Sequence, residues 1–196
     1  MFFEEVIKMK EVWLMRHGDN EIDSDFARYG IWQPQSSLTM AGVAKLALIS
    51  EMHFTNINFE ICLHSPLVRA KETGRIILPD SDWIEEPLLG PEKTTDLDNI
   101  YMGNNPDNLR DTEKLLPGFC QHVKERVMSV VERSVRKLTT NQKAIIIGHE
   151  PSLTLTLSTF AQKYNAYVKL LEKGNICVLV FTDTNLFYEC RELSFE

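Results

Sequence analysis

Three stretches of this chain set arginine, histidine, glycine and proline where they could hold a phosphoryl group. Residues 14 to 20 read LMRHGDN, with Arg16, His17 and Gly18 closing an apolar run. Residues 64 to 70 read HSPLVRA, in which Ser65 suits a helix N-cap, Pro66 the first helical position, and Arg69 the first turn. Residues 145 to 153 read IIIGHEPSL, where Gly148, His149 and Glu150 precede a second helix-opening proline, Pro151. Helix N-termini expose unpaired N–H groups and a positive dipole end, and guanidinium groups grip phosphate oxygens in pairs. A cation in the first turn of a helix works against the dipole, so Arg69 implies an anion to hold. Two histidines, two arginines and two helix N-termini together make a site for a phosphoryl group. Taken singly the pieces are weak: Arg69 reads equally as a snorkelling surface residue, and His149 as a satisfied core histidine.

Such a site needs strands that end along one edge. Short apolar runs at residues 11 to 16, 58 to 64 and 143 to 148 predict buried strands. Residues 175 to 182 and 186 to 193, joined at Thr182, Asp183, Thr184 and Asn185, predict a hairpin. These runs alternate with amphipathic segments, which predicts an α/β three-layer sandwich: a central mixed, mostly parallel sheet with helices on both faces. Ligands of such sheets sit at the C-terminal edge of the parallel strands. Thr39 suits an N-cap, and Leu38 with Val43 has the spacing of a hydrophobic staple, for a helix to about residue 52. Pro117 opens another, in which Phe119, Val123, Val127, Val130, Val131, Val135 and Leu138 form one stripe and His122 falls on the solvent side. Residues 152 to 158, SLTLTLS, alternate like a strand, but the strand ending at Gly148 and the Pro151 start signal favour a helix. Residues 79 to 108 carry Pro79, Pro87, Pro91, Pro106, Gly90 and Gly103, and predict an excursion or lid on an otherwise single domain, 1 to 196.

Composition narrows the function. The 28 acidic and 21 basic residues leave a net charge of −7, which should repel a nucleic-acid backbone. No window approaches the roughly 18 apolar residues of a membrane span. The opening MFFEEVIKMK places two carboxylates where a signal peptide would be apolar. The expected setting is therefore cytoplasmic, with neither nucleic acid nor membrane as partner. Cys62, Cys120, Cys177 and Cys190 form no CxxC pair and no zinc-finger spacing, so each reads as a small hydrophobe in a reducing compartment, and no metal or other cofactor is implied.

The Arg-His-Gly near the N-terminus, the Ser-Pro-Leu-x-Arg-Ala and the late Gly-His make the chain resemble the histidine phosphatase superfamily, also called phosphoglycerate mutase-like. Within it, LMRHGDN, SLTMAG, SPLVRA and GHEPSL resemble the small bacterial phosphohistidine phosphatases in order and spacing. The resemblance covers residues 11 to 190 and implies that His17 takes up the phosphoryl group while Arg16, Arg69 and His149 bind its oxygens. Neutral imidazole is nucleophilic near neutral pH, and an adjacent arginine both disfavours its protonation and attracts the phosphate. Gly18 would let the backbone come close where a side chain would collide, and Asn20 would either touch a phosphate oxygen or begin a turn. His53 and His64 read as structural or exposed. Many members of the superfamily carry a glutamate general acid after the third strand; here WIEEPLLGPE offers Glu85, Glu86 and Glu92 as candidates, none in that pattern.

The expected function is a metal-independent phosphatase acting through a covalent phosphohistidine on His17, with a protein phosphohistidine as leading substrate. The alternatives are a small-metabolite phosphatase or phosphoglycerate mutase of the same superfamily, and a non-catalytic phosphate-binding module. Asp80, Asp82, Glu85, Glu86, Glu92, Asp96 and Asp98 against Lys93 alone make residues 79 to 98 a poor clamp for a bisphosphorylated metabolite, which disfavours the mutase.

Overall fold

The computed structural model of the protein describes residues 8–20, 35–90, 117–150, 152–164 and 173–193. Among them the chain forms β1 (Met9–Arg16), α1 (Met40–His53), β2 (Ile61–His64), α2 (Val68–Ile77), β3 (Trp83–Glu85), α3 (Pro117–Lys137), β4 (Lys143–Gly148), α4 (Ser152–Tyr164), β5 (Ile176–Thr182) and β6 (Phe187–Leu193). The strands build one sheet in the order β3-β2-β4-β1-β5-β6. Strands β1 to β4 run parallel, while β5 pairs antiparallel with β1 and β6 antiparallel with β5. The sheet is thus mixed, and the hairpin at Thr182 closes by Thr182 N–H donating to Leu186 O at 2.8 Å.

Both faces of the central strands are covered, which is why these strands read as continuous apolar runs. Side chains alternate between faces along a strand. Val12, Leu14, Ala144, Ile146, Cys177 and Leu179 pack with Val127, Val131, Leu153 and Leu157 of α3 and α4. Trp13, Met15, Ile145, Ile147, Val178 and Val180 pack on the other side with Leu46, Ile49, Ala70 and Ile77 of α1 and α2. The α3 stripe Val123, Val127, Val130, Val131, Val135 and Leu138 is buried, and His122 is exposed. Thr39 caps α1, its side chain accepting from Gly42 N at 3.0 Å. The SLTLTLS segment is helical in α4. No helix among the described residues is long and apolar enough to cross a membrane.

Two expectations need correction, and the excursion after Pro79 holds one strand that the sequence reading does not include. Helix α2 begins at Val68 with Leu67 as N-cap, not at Pro66 with Ser65 as N-cap. The Ser65 hydroxyl accepts from Leu67 N but is also drawn to His149, so it does not reach the helix. Strand β2 starts at Ile61, because residues 58 to 60 have no continuous partner beyond Glu60 N–H on Lys143 O. The excursion after Pro79 contains a strand: Trp83–Glu85 extends the sheet beside β2, followed by a 3-10 turn at Pro87–Leu89. Residues 91 to 108 lie outside the described residues.

Register converts this sheet into a site. Arg16 stands opposite Gly148, and His64 opposite Ile147. His17, His149 and Ser65 therefore leave three adjacent strands, β1, β4 and β2, at the same edge. Backbone bonds continue past the strand ends, with His17 N–H on Gly148 O at 3.2 Å and Ser65 N–H on Ile147 O at 3.0 Å.

The loop after His17 is seated on α1 through Gly42. Thr39 N–H donates to Asp19 O at 2.9 Å, and a Cβ built on Gly42 would lie 2.4 Å from that same Asp19 O. Backbone on both sides cannot yield as a side chain tip can. Gly42→Ala should therefore lower stability by about 1–3 kcal/mol, read as a lower denaturant midpoint at unchanged slope. An unchanged midpoint would show that the loop has room to shift.

Candidate active site

The structure brings His17, Arg69 and His149 into one buried cluster with Arg16 alongside. The His17 and His149 rings lie 4.9 Å apart, centroid to centroid. Arg69 Nε donates to His17 Nε2 at 3.2 Å, so Nε2 carries a lone pair. The other ring nitrogen, Nδ1, is 2.7 Å from the carbonyl of Gly18 and donates to it. That bond fixes the tautomer and leaves Nε2 as the ring nitrogen that carries the lone pair, on which Arg69 Nε–H sits. Arg69 Nη1 is buried with no hydrogen-bond partner among the described residues, a donor that an anion would satisfy.

The electrostatics reinforce this geometry. Burial, then the Arg69 guanidinium, hold the His17 imidazole well below its ordinary 6.5, against the opposing bond to Gly18 O and with smaller help from Arg16 and Lys173. Burial, then His17 and the two arginines, do the same to His149. Arg69 is itself lowered to about 10, first by burial and then by Arg16, and Lys173 to about 8, by burial and Arg16 against the pull of Asp19. Two neutral imidazoles amid crowded cations make a pocket whose charge calls for an anion.

The same shifts predict acid sensitivity. Below 6.5 the unfolded chain takes up protons on these two histidines that the folded chain refuses, so the folded state loses stability as pH falls from 6.5 toward the lower folded values. Denaturation measured at about pH 7.5 and about pH 5.5 should show this loss, and His17→Asn should reduce it. An equal loss in that variant would mean His17 is not held neutral.

The remaining candidates fall outside the cluster or support it. Gly18 spends both backbone groups locally: its N–H donates to Thr73 Oγ1 at 3.1 Å and its carbonyl accepts from His17. A Cβ on Gly18 would meet Leu46 Cδ1 at 2.7 Å, so the collision it avoids is with α1 packing. Asn20 donates to Ser36 Oγ at 3.0 Å and bridges to Leu38, which ties down the incoming segment. Glu86 caps the 3-10 turn by accepting from Leu88 N and pairs with Arg133. Glu85 is exposed at the end of β3, three interstrand spacings or about 14 Å from β1. Glu92 and Pro151 lie outside the described residues. His64 is buried and donates to Ser65 O, a structural role, and His53 ends α1 partly buried.

Three contributors were not read from the sequence. Thr73 donates to Arg69 O at 2.7 Å while accepting from Gly18 N, linking α2 to the loop after His17; its i+4 spacing from Arg69 was the available signal. Ser65 was read only as a cap. Lys173 follows no motif and reaches the site because Gly174 N–H donates to Arg16 O at 3.1 Å. Among the described residues no cluster of three or more His, Cys, Asp or Glu could hold a metal ion.

The sequence from residue 12 to 192 matches the model of the histidine phosphatase superfamily (branch 1). The chain belongs to the histidine phosphatase superfamily. Members of this superfamily are phosphatases and mutases. No curated protein matches the chain significantly in sequence. Among solved structures of the fold, it is similar to a phosphoserine phosphatase from Entamoeba histolytica in complex with 3-phosphoglyceric acid, at 15% identity and a TM-score of 0.72 over 95% of this chain and 98% of that one. A phosphoglycerate mutase from Bacillus anthracis matches at 16% identity and 0.67, over 95% and 93%. The protein histidine phosphatase SixA complexed with tungstate matches at 16% and 0.55, over 93% and 96%. Proteins with names this different share the superfamily's sheet and helices, so the fold does not select a substrate.

Proposed function

We propose that this histidine phosphatase homologue hydrolyses phosphoryl groups without a metal, with His17 Nε2 as nucleophile and a protein phosphohistidine as substrate. The observation that carries the reading is the fixed tautomer of His17: Nδ1–H is tied to Gly18 O while Arg69 Nε–H occupies Nε2. An incoming phosphoryl oxygen would take over the Arg69 donor and bring phosphorus to the released lone pair; Nε2 bonds to phosphorus as the substrate's P–N bond breaks, and the substrate ring, protonated on its free nitrogen, leaves as neutral imidazole. Phosphoryl transfer leaves charge on three equatorial oxygens, which Arg16, Arg69 and His149 would share. Water then cleaves the phosphohistidine and restores His17. A module that only bound phosphate would need the arginines but not an imidazole held neutral with its lone pair presented.

Substrate choice follows from the acid. Glu86 is committed to a cap and an ion pair, and Glu85 stands about three strands away from His17, so neither is poised to protonate a leaving alkoxide. An imidazole leaving group, whose cation titrates near pH ~6.5, departs without such help. Assayed side by side, kcat/KM should fall in the order phosphohistidine peptide, aryl phosphate, alkyl phosphate, and Glu85→Gln, Glu86→Gln and Glu92→Gln should barely affect the first. Efficient alkyl phosphate hydrolysis that one of these substitutions lowers by about two orders of magnitude would identify a general acid and move the protein to the metabolite phosphatases.

A further inference from the structure

We propose that Ser65 is a positioning residue that fixes the tautomer of His149, so that His149 presents an N–H, not a lone pair, to the phosphoryl group; this builds on the phosphatase reading above. Ser65 Oγ lies 2.7 Å from His149 Nε2 and accepts the N–H of Leu67 at 3.3 Å. Ser65 is completely buried, at 0% exposure. A hydroxyl has one proton to give and two lone pairs to receive. With Leu67 N–H on one lone pair, His149 Nε2 is the one acceptor within reach of the Ser65 proton among the described residues. If Nε2 carried its own proton, the serine proton would be buried with nothing to bond, an arrangement folded proteins avoid.

Donation by Ser65 therefore puts the lone pair of His149 on Nε2 and its proton on Nδ1. Nδ1 is buried and has no partner among the described residues, so it remains available as a donor. His17 is fixed in the complementary sense, with its proton turned to Gly18 O and its lone pair at Nε2. The two rings thus divide the work: one attacks phosphorus and the other donates to a phosphoryl oxygen. In the other tautomer His149 would offer a lone pair to an anionic oxygen and repel it, and burial among cations keeps the ring from escaping this by taking up a second proton. The serine that opens the Ser-Pro-Leu-x-Arg-Ala stretch is accordingly part of the second histidine's chemistry, although it comes from a neighbouring strand.

The test is long-range proton–nitrogen NMR of the full chain labelled with 15N-histidine, its ring signals assigned by single histidine replacements. His149 should show a protonated Nδ1 and a hydrogen-bonded, unprotonated Nε2. A protonated Nε2 overturns the proposal whatever the activity. In parallel, Ser65→Ala should lower kcat/KM about 10- to 100-fold for phosphohistidine and aryl phosphate alike, with Ser65→Thr restoring most of it. Wild-type activity in Ser65→Ala, in a variant whose His149 keeps the Nδ1–H form, would also overturn it. Should Ser65→Ala not fold, the wild-type spectrum still decides. Absence of turnover by the wild type on every substrate would sink the phosphatase reading and leave the tautomer assignment standing on the spectrum.

Discussion

His17→Ala should abolish turnover, lowering kcat by about four orders of magnitude or more, while the circular dichroism spectrum should stay that of the wild type. On the proposed mechanism Arg69 and His149 would still bind the phosphoryl oxygens, but without Nε2 no side chain in the cluster is left to attack phosphorus. The fold should survive because His17 lies beyond the end of β1, and the packing that holds the sheet is carried by Val12, Trp13, Leu14 and Met15 behind it. The sharper comparison is His17→Asn, which keeps a polar side chain near the Gly18 carbonyl but has no imidazole. Steady-state assays with aryl phosphate at saturating substrate measure both variants. Residual activity within about tenfold of wild type would remove His17 as nucleophile.

Arg69→Lys should cost about tens- to hundreds-fold in kcat/KM although the charge is kept. Arg69 places Nε on His17 Nε2 and holds a buried Nη1 without a partner among the described residues, a fork that on the proposed mechanism would reach the nucleophile and a phosphoryl oxygen together. A lysine ammonium is a point charge on a flexible stem and cannot hold both positions. Arg69→Ala adds a second effect. Arg69 is the strongest charge depressing His17, so its removal should raise the His17 pKa and move the acidic limb of kcat/KM to higher pH. Arg69→Lys should leave that limb nearly in place. A lysine variant as active as wild type would contradict bidentate recognition.

How much of this was legible in the sequence depended on where the signal was local. Strand ends followed by Arg-His-Gly or Gly-His could be read because an apolar run and a polar break lie side by side in the chain, and the hairpin at Thr182 was readable for the same reason. The division of β1 and β4 between two cores followed from their continuous apolar runs. What failed was set by tertiary contact. Ser65 was read as a cap because a serine before a proline usually is one, whereas its partner His149 is 84 residues away. Strand β3 has only three residues, two of them exposed, and is held by β2, so no alternation announces it. Nothing in the sequence marks Gly42, because what requires a glycine there is the Asp19 carbonyl packed against it. Lys173 carries no motif, and its altered titration comes from burial and then from Arg16, whose carbonyl accepts the neighbouring Gly174 N–H. The sequence offers Glu86 as a candidate acid, but Arg133, 47 residues on, holds it.

The central claim, that His17 carries the phosphoryl group, is tested most directly by rapid-quench trapping with radiolabelled aryl phosphate, followed by alkaline digestion-compatible peptide mapping. A neutral imidazole attacking through Nε2 predicts one base-stable, acid-labile adduct, located on His17, formed at a rate at least equal to kcat and absent from His17→Ala. The same label on His149, or turnover with no trapped adduct under conditions where release is slowed, would contradict it.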